Sequence, residues 1–284
     1  MVVGRGEPER VWNALPFVKM KGMVMVYLIG AGPGDPELLT LKAARILSQA
    51  QVVVYDGLVN SEILNWLPQN CLKISVGVSR SRGHLNQEQI NRLIIKQAQK
   101  GKQVVRLKCG DPLIFGRGAE EALALVKAGI PFQIVPGLTA GTALATNVGI
   151  PLTHRALASS IAFVTGHHSP DSADKNRLIE LSRSADTLVI YMGITKIGEI
   201  MKILSTVPEN RTKPVAIIEK GTWPDQQIHI SRVIDLHLQS SSVSFRTPGL
   251  IVVGRVVSFF EQFQNHLYRE WESETEFTME EMLL

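Results

Sequence analysis

Residues 105–121 read VRLKCGDPLIFGRGAEE and pass from a β-branched strand through a glycine-rich loop into a helix. Gly110 allows a backbone to approach a ligand closely, and Asp111 places a carboxylate at the carboxyl end of the strand. Pro112 stiffens the loop, while the acidic pair Glu120-Glu121 suits the positive end of the next helix. This order predicts one edge of a ligand cleft, and a purely structural turn is the alternative.

The segment that precedes this stretch alternates in the same way between strand and helix. Met25–Gly30 is an apolar run followed by a tight loop at 31–36, and Thr40–Leu47 has helical spacing. Gln51–Asp56 is again apolar and β-branched. A buried strand, a helix and a second buried strand are therefore expected.

A capping box predicts the next helix. Asn86 can cap its first turn, with Gln89 three residues further on, and Gly101 can end it. Strands at Gln103–Leu107 and Phe132–Val135 bracket another helix. The repeated order of strand, helix and strand predicts a mostly parallel sheet covered by helices.

The pattern changes after residue 137. Small residues fill 139–146, and apolar residues at helical spacing follow at 197–204. Further strands are predicted at Ser160–Val164, Thr187–Tyr191, Val215–Ile218 and Leu250–Val253. The predicted fold class is α/β, with two α/β domains at 23–136 and 137–260 and a crevice between them, where ligands often bind. Residues 1–22 are predicted to be a flexible extension, and 261–284 a helix that fades into a tail.

Composition narrows the function classes. Of 284 residues, 45% are hydrophobic and 20% charged, as in an ordinary globular protein. No apolar run approaches the roughly 20 residues of a membrane helix, so no membrane partner is expected. A net charge of +4 with 6% aromatic residues fits an anionic small substrate better than nucleic acid. Two cysteines give neither a disulfide framework nor metal-ligand spacing, which indicates a reducing, cytoplasmic location and no metal. No signal peptide is predicted.

The loop at residues 30–35, Gly-Ala-Gly-Pro-Gly-Asp, suggests a dinucleotide-binding turn but matches one poorly. The third glycine comes one residue early, and Asp35-Pro36 delays the helix, although Asp56 does end the second strand. A nicotinamide-binding protein is therefore the distant alternative.

Eight segments form a further pattern: Tyr27–Thr40, Val105–Glu121, Val135–Ala140, Gly149–Arg155, Thr165–His167, Tyr191–Gly193, Glu219–Thr222 and Pro248–Gly254. Together they resemble the tetrapyrrole methyltransferases, the class III methyltransferases that use S-adenosylmethionine, and within them the uroporphyrinogen-III C-methyltransferases. The resemblance covers about residues 25–258. The loop after the first strand alone would fit several relatives, whereas Val105–Glu121 with Pro151–Arg155 is more specific. A methyltransferase acting on a later corrin intermediate is the near alternative.

The resemblance implies methylation of carbons 2 and 7 of uroporphyrinogen III to give precorrin-2, on the siroheme and cobalamin branch, by a homodimer. Asp56 matches the proposed proton acceptor of the family; a turn or cap residue before Gly57 is the alternative. S-adenosylmethionine is expected between the domains, with Met192 also possible as a core residue. The implied cofactor contacts are Pro33, Cys109, Gly110, Asp111, Ile114, Thr139, Ala140, Met192 and Gly221.

The substrate carries eight carboxylates, so cationic side chains are expected in the crevice, with a solvated surface as the alternative for each one. The candidates are Arg80, Arg82, Arg106, Arg117, His154 and Arg155.

The chain departs from the family pattern at two positions. Val78 stands where the family has a proposed proton-donating lysine, which leaves that role dispensable or passes it to a neighbouring arginine. Cys109 replaces a usual glycine. A backbone contact survives that change if the position does not require a positive φ.

Overall fold

The computed structural model describes residues 24–77, 85–166, 172–239 and 242–267. Val78, Arg80 and Arg82 lie outside the described residues, as do the predicted extension at 1–22 and the tail from 268 onward. Within the described ranges, no helix combines the length and the apolar character that crossing a membrane requires.

The first half of the chain forms a five-stranded sheet in which every pairing is parallel. Its strand order is β3-β2-β4-β1-β5. Two of the three interior strands, β1 and β4, are buried along nearly their whole length, as continuous apolar runs in parallel sheets usually are. The prediction of a mostly parallel sheet is confirmed. The strands are β1 Val26–Gly30, β2 Val52–Tyr55, β3 Leu72–Ser75, β4 Val104–Lys108 and β5 Phe132–Val135.

This sheet is covered by the helices α1 Leu41–Leu47, α2 Gln87–Gln99 and α3 Gly118–Lys127. The predicted capping box of α2 is present, with Asn86 and Gln89 each bonded to the backbone of the other. Gly101, at φ +77°, follows the helix as predicted. Short 3₁₀ helices at Pro36–Leu38 and Ser61–Trp66 complete this half.

The second half forms a mixed sheet of order β6-β7-β10-β8-β9. β6 and β7 are parallel, and the remaining pairs are antiparallel. Its strands are β6 Ile161–Thr165, β7 Thr187–Tyr191, β8 Pro214–Glu219, β9 Gln227–Arg232 and β10 Gly249–Val253.

This sheet is accompanied by the helices α4 Ala140–Asn147, α5 Ser172–Ser184, α6 Ile197–Ser205, α7 Val233–Gln239 and α8 Phe259–Phe263. Short 3₁₀ helices lie at Ile194–Lys196, Pro208–Asn210 and Arg255–Ser258.

Each sheet has an apolar core on both faces. In the second half, α6 packs Ile200, Met201 and Leu204 against one face, while α4 contributes Leu144 to the other. Since α4 belongs to this second core, the chain changes sheet between β5 and α4, close to the predicted boundary at 137. The domain limits themselves stay a prediction.

Backbone segments from three strands meet at the carboxyl edge of the first sheet. A Cβ on Gly30 would lie 2.4 Å from the Gly110 carbonyl and 2.6 Å from the Gly137 nitrogen. The Gly32 and Gly110 amides also exchange hydrogen bonds with each other's carbonyls, at 3.3 and 2.7 Å. Only residues without side chains permit this approach, so the glycines bring the loops after β1, β4 and β5 together.

Candidate active site

A cavity of about 920 Å³ opens where the loops of the first sheet face the carboxyl ends of β7 and β8. A site between two α/β halves is a common position for a ligand of cofactor size. The structure brings all the residues expected to contact the cofactor to the wall of this one cavity: Pro33, Cys109, Gly110, Asp111, Ile114, Thr139, Ala140, Met192 and Gly221.

The turn after β4 depends on Gly110 but not on its neighbour. Gly110 has φ +67°, whereas Cys109 is absent from the residues with positive φ. The condition under which a cysteine can replace the family glycine is therefore met at the backbone. The Cys109 thiol lies 3.8 Å from the Gly32 carbonyl, and burial together with the negative charge of Asp56 raises its pKa to about 11.

Asp111 organises the loop that carries it. One carboxylate oxygen accepts from the Leu113 amide at 2.8 Å, and the other accepts from the Gly137 amide at 3.2 Å. The side chain therefore ties the β4 loop to the β5 loop. Each oxygen has lone-pair capacity left for a ligand group at the cavity wall.

Tyr191 holds the start of α4 against the cavity. Its hydroxyl accepts from the Gly141 amide at 2.7 Å and shares a hydrogen bond with Thr139 Oγ1 at 2.8 Å. A Cβ on Gly141 would lie 2.2 Å from that hydroxyl, so the position needs glycine. The Phe115 ring lies 4.9 Å from the Tyr191 ring, and burial raises the pKa of the phenol, which keeps it neutral.

Strained backbone concentrates around the cavity. Five described non-glycine residues have a positive φ, and such conformations cluster at functional sites when the surrounding structure holds them. Three of them line the cavity and two flank Gly221, which also lines it. They are Phe115, Arg117, Met192, Lys220 and Thr222.

The loop after β1 is held from the second half. The Asp35 amide donates to Thr222 Oγ1 at 3.1 Å. A Cβ on Gly34 would lie 2.3 Å from Trp223 Nε1, so the indole rests directly on the backbone of this loop. These contacts join the Pro33 side of the cavity to the Gly221 side.

Asp56 lies at the cavity wall in contact with buried cations. Its carboxylate is about 30% exposed, pairs with Arg106, and has one oxygen 3.8 Å from Lys108 Nζ. Glu121 bonds the same two cations from below, with its Oε1 2.9 Å from Arg106 Nε and 3.0 Å from Lys108 Nζ.

Arg106 lies at the cavity wall, as expected. Its side chain is only 2% exposed, and all three nitrogens donate to protein acceptors. Its place on β4 turns it towards the face that α3 covers, where Glu121 and Asp56 engage it. Its contact with substrate carboxylates stays a prediction.

Of the other predicted cations that the structure describes, Arg117 lies at the cavity wall, and His154 and Arg155 do not. Arg117 lines the cavity and is exposed, and its guanidinium holds Glu120 through two bonds of 2.8 and 2.7 Å. The cavity wall, as far as the described residues form it, includes neither His154 nor Arg155. The His154 ring packs 4.8 Å from the Phe259 ring in a separate tight turn, which overturns their expected place in the crevice.

Sequence reasoning missed several residues at the site: Lys108, Phe115, Glu121, Tyr191 and Trp223. Arg106 and Lys108 are two residues apart on a strand that is expected to be buried, so both lie on the same face of the sheet. Because buried charges are paired, this spacing predicts a buried acidic partner. The aromatic residues carried no comparable signal. Across residues 24–77, 85–166, 172–239 and 242–267, no cluster of His, Cys, Asp and Glu suited to a metal ion occurs.

Comparisons with known proteins agree on one family. The family model of the tetrapyrrole (corrin/porphyrin) methylases matches residues 25–236. A uroporphyrinogen-III C-methyltransferase of Methanocaldococcus jannaschii is 43% identical over 238 residues, which is 83% of this chain and 98% of that protein. A siroheme synthase of Acinetobacter baylyi is 46% identical over 239 residues, 84% of this chain and 52% of that protein. The chain thus spans about half the length of the siroheme synthases that it matches.

Solved structures give the same answer. Uroporphyrin-III C-methyltransferase from Thermus thermophilus, in complex with S-adenosylhomocysteine, has a TM-score of 0.70 at 39% identity and covers 82% of this chain and 99% of its own. A cobalt precorrin-4 methyltransferase has a TM-score of 0.72 at 27% identity, over 82% of this chain and 95% of its own. The nicotinamide alternative is thereby set aside. From the extent of the family match and the identity to these relatives, the chain belongs to the tetrapyrrole (corrin/porphyrin) methylase family.

Proposed function

We propose that the protein transfers methyl groups from S-adenosylmethionine to carbons 2 and 7 of uroporphyrinogen III and so forms precorrin-2. The observation that carries this proposal is the single cavity whose wall holds every expected cofactor contact together with Asp56. The 43% identity to a uroporphyrinogen-III C-methyltransferase supports the choice of substrate.

The cavity wall suits the cofactor. Ile114 and Met192 offer apolar surface, the hydroxyl of Thr139 and the carboxylate of Asp111 offer polar contacts, and Gly110 exposes backbone. When bound, S-adenosylmethionine supplies a methyl group activated on a sulfonium. The contribution of these residues is to bind and orient, because methyl transfer depends mainly on placing donor and acceptor in line.

Asp56 would take up the ring proton that leaves after each methylation. Its carboxylate faces the cavity, is partly exposed, and is held in place by Arg106 and Lys108. A base fixed at the site in this way typically contributes about 10²–10⁴-fold to the rate. Arg117, exposed at the same wall, is the described cation best placed to bind a substrate carboxylate.

A methyltransferase of a later corrin intermediate is the second candidate, because the cobalt precorrin-4 enzyme has a comparable TM-score of 0.72. Its 27% identity, against 39% for the uroporphyrin-III enzyme, favours the first candidate. We further propose a cytoplasmic homodimer from the family resemblance, and light scattering after size exclusion would test the dimer.

Anaerobic incubation with S-adenosylmethionine and uroporphyrinogen III, followed by mass spectrometry, tests the activity. We expect the substrate to gain one and then two methyl groups, and Asp56→Asn to slow this gain by about a hundred-fold or more while S-adenosylhomocysteine still binds. An unmodified substrate beside normal binding of S-adenosylhomocysteine would contradict the assigned substrate, and a parallel incubation with a corrin intermediate would then test the second candidate.

A further inference from the structure

Four charged side chains form a closed group at the cavity wall: Asp56, Arg106 and Lys108, which line the cavity, and Glu121, which lies behind them. Arg106 and Lys108 are two residues apart on β4 and point to the same face of the sheet. Both are almost fully buried, as is Glu121 on α3. Of the four, only Asp56 has an appreciably exposed side chain.

Glu121 binds the two cations, Arg106 and Lys108, through the same carboxylate oxygen. Its Oε1 accepts from Arg106 Nε at 2.9 Å, from Lys108 Nζ at 3.0 Å and from Gln87 Nε2 at 3.1 Å. Its Oε2 is buried and has no hydrogen-bond partner among the described residues. A carboxylate buried at the junction of two cations, with one oxygen left over, is not accounted for by the packing of α3 alone.

The charges of the group balance as two cations and two carboxylates. A buried cation without a counter-charge is strongly unfavourable, so loss of the Glu121 charge would turn both cations towards Asp56. The Asp56 carboxylate would then be drawn further into ion pairs, away from its present place at the cavity wall, and be less free to accept a proton. Glu121 therefore controls how firmly its neighbours hold Asp56.

We propose that Glu121 is a positioning residue for the methyl-transfer reaction: it engages Arg106 and Lys108 from below, so that Asp56 stays accessible in the cavity and able to accept a proton. This inference rests on the proposed function, in which Asp56 takes up the ring proton. Glu121 itself touches neither substrate nor cofactor in this scheme, because α3 and β4 bury it.

Replacement of Glu121 by glutamine tests the inference, since the amide has nearly the same shape, removes the negative charge and keeps one acceptor oxygen, with an N–H donor group in place of the other. We expect kcat of Glu121→Gln to fall by about ten- to a hundred-fold, within the range of general-base effects. The KM for S-adenosylmethionine and the Kd for S-adenosylhomocysteine should stay within about three-fold, because the cofactor wall is formed by other residues. Glu88→Gln, an exposed change on α2, is the matched control and should leave kcat unchanged.

The double variant separates a positioning role from a general structural one. If Glu121 acts through Asp56, adding Glu121→Gln to Asp56→Asn should lower kcat little further, because the two effects share one group. Losses that multiply in the double variant would overturn the inference. If Glu121→Gln does not fold, Glu121→Asp takes its place in the same cycle, with a smaller expected loss in kcat.

The same measurements distinguish the positioning role of Glu121 from the proposed function on which it rests, in which Asp56 accepts the ring proton. A Glu121→Gln enzyme with wild-type kcat beside an impaired Asp56→Asn enzyme would overturn the positioning role alone. Wild-type kcat in Asp56→Asn would instead overturn the proton-acceptor role of Asp56, and the inference with it.

Discussion

Cys109 stands directly before Gly110, and of these two residues only Gly110 has left-handed backbone. With Cys71 replaced by alanine, Cys109 is the one thiol left in the sequence. Because its pKa is about 11, about one thiol in a thousand is ionised near pH 8, and the thiolate is the reactive form. We expect iodoacetamide to modify the native Cys71→Ala protein at least about ten-fold more slowly than the same protein in urea. Equal rates would contradict the burial of this thiol.

The raised pKa of Cys109 also makes stability depend on pH. Below its ordinary value of 9.0 the thiol is protonated in both states, and between 9.0 and about 11 only the unfolded chain loses the proton. The free energy of unfolding that Cys109 contributes should therefore fall across this window and level off above it. Urea unfolding across these pH values should show a shallower decline for Cys109→Ala, and an unchanged slope would oppose this account.

Tyr191 joins β7 to α4 through its hydroxyl. Tyr191→Phe removes the acceptor of the Gly141 amide and the partner of Thr139 while keeping the ring against Phe115. We expect a loss of about 1–3 kcal/mol in the free energy of unfolding, because a buried donor is left unpaired. Binding of S-adenosylhomocysteine, followed by calorimetry, should weaken as Thr139 loses its orientation. Thr146→Ala, an exposed change on α4, is the control.

At the scale of the elements, the capping box of α2 gives a prediction about stability without function. Asn86→Ala removes the side-chain oxygen that accepts from the backbone amide of Gln89, and it should lower the free energy of unfolding in urea by about 1 kcal/mol. Lys96→Ala, exposed on the same helix, should cost much less. The Kd for S-adenosylhomocysteine should stay within about two-fold for both. A large change in Asn86→Ala alone would mean that the cap also positions Gln87 and Ile90, the α2 residues at the cavity wall.

Most elements could be predicted from periodicity and caps. Two strands, β3 and β9, could not, and each has a physical reason. β3 is an edge strand whose side chains are mostly exposed, so burial left no pattern in its sequence. β9 alternates Ile228 and Ile230 with polar residues, a period-two signal that is short and follows a turn.

The cofactor wall could be anticipated because glycines and loop residues mark the ends of strands. The partner of the buried cations could not be anticipated, since Arg106 and Glu121 are 15 residues apart and only the packing of α3 on β4 unites them. Likewise, nothing local to residues 154 and 155 indicated that their turn lies off the cavity wall.

At the scale of the whole molecule, the two halves are joined at the loop after β1. Thr222→Val removes the acceptor of the Asp35 amide between them. We expect S-adenosylhomocysteine to bind several-fold more weakly, because Pro33 and Gly221 on opposite sides of the cavity lose a shared support. Thr206→Val, an exposed change after α6, serves as the control. Unaltered affinity in Thr222→Val would separate this contact from ligand binding.

A ligand held by both halves should stabilise both. At a concentration about a hundred times its Kd, S-adenosylhomocysteine should raise the free energy of unfolding by about 2.7 kcal/mol. Hydrogen exchange should then slow in β4 of the first sheet and in β7 of the second together. Protection confined to one sheet would show that the ligand is held by one half.

The strand order of the first sheet places β1 between β4 and β5. The ribosome therefore releases β1 long before either neighbour, since β4 begins at residue 104 and β5 at residue 132. Pairings so distant along the chain form slowly, and an unpaired apolar strand invites association with other chains. A nascent chain that ends before residue 104 carries such a strand with both edges open, so at this stage of synthesis β1 is exposed to association with other chains.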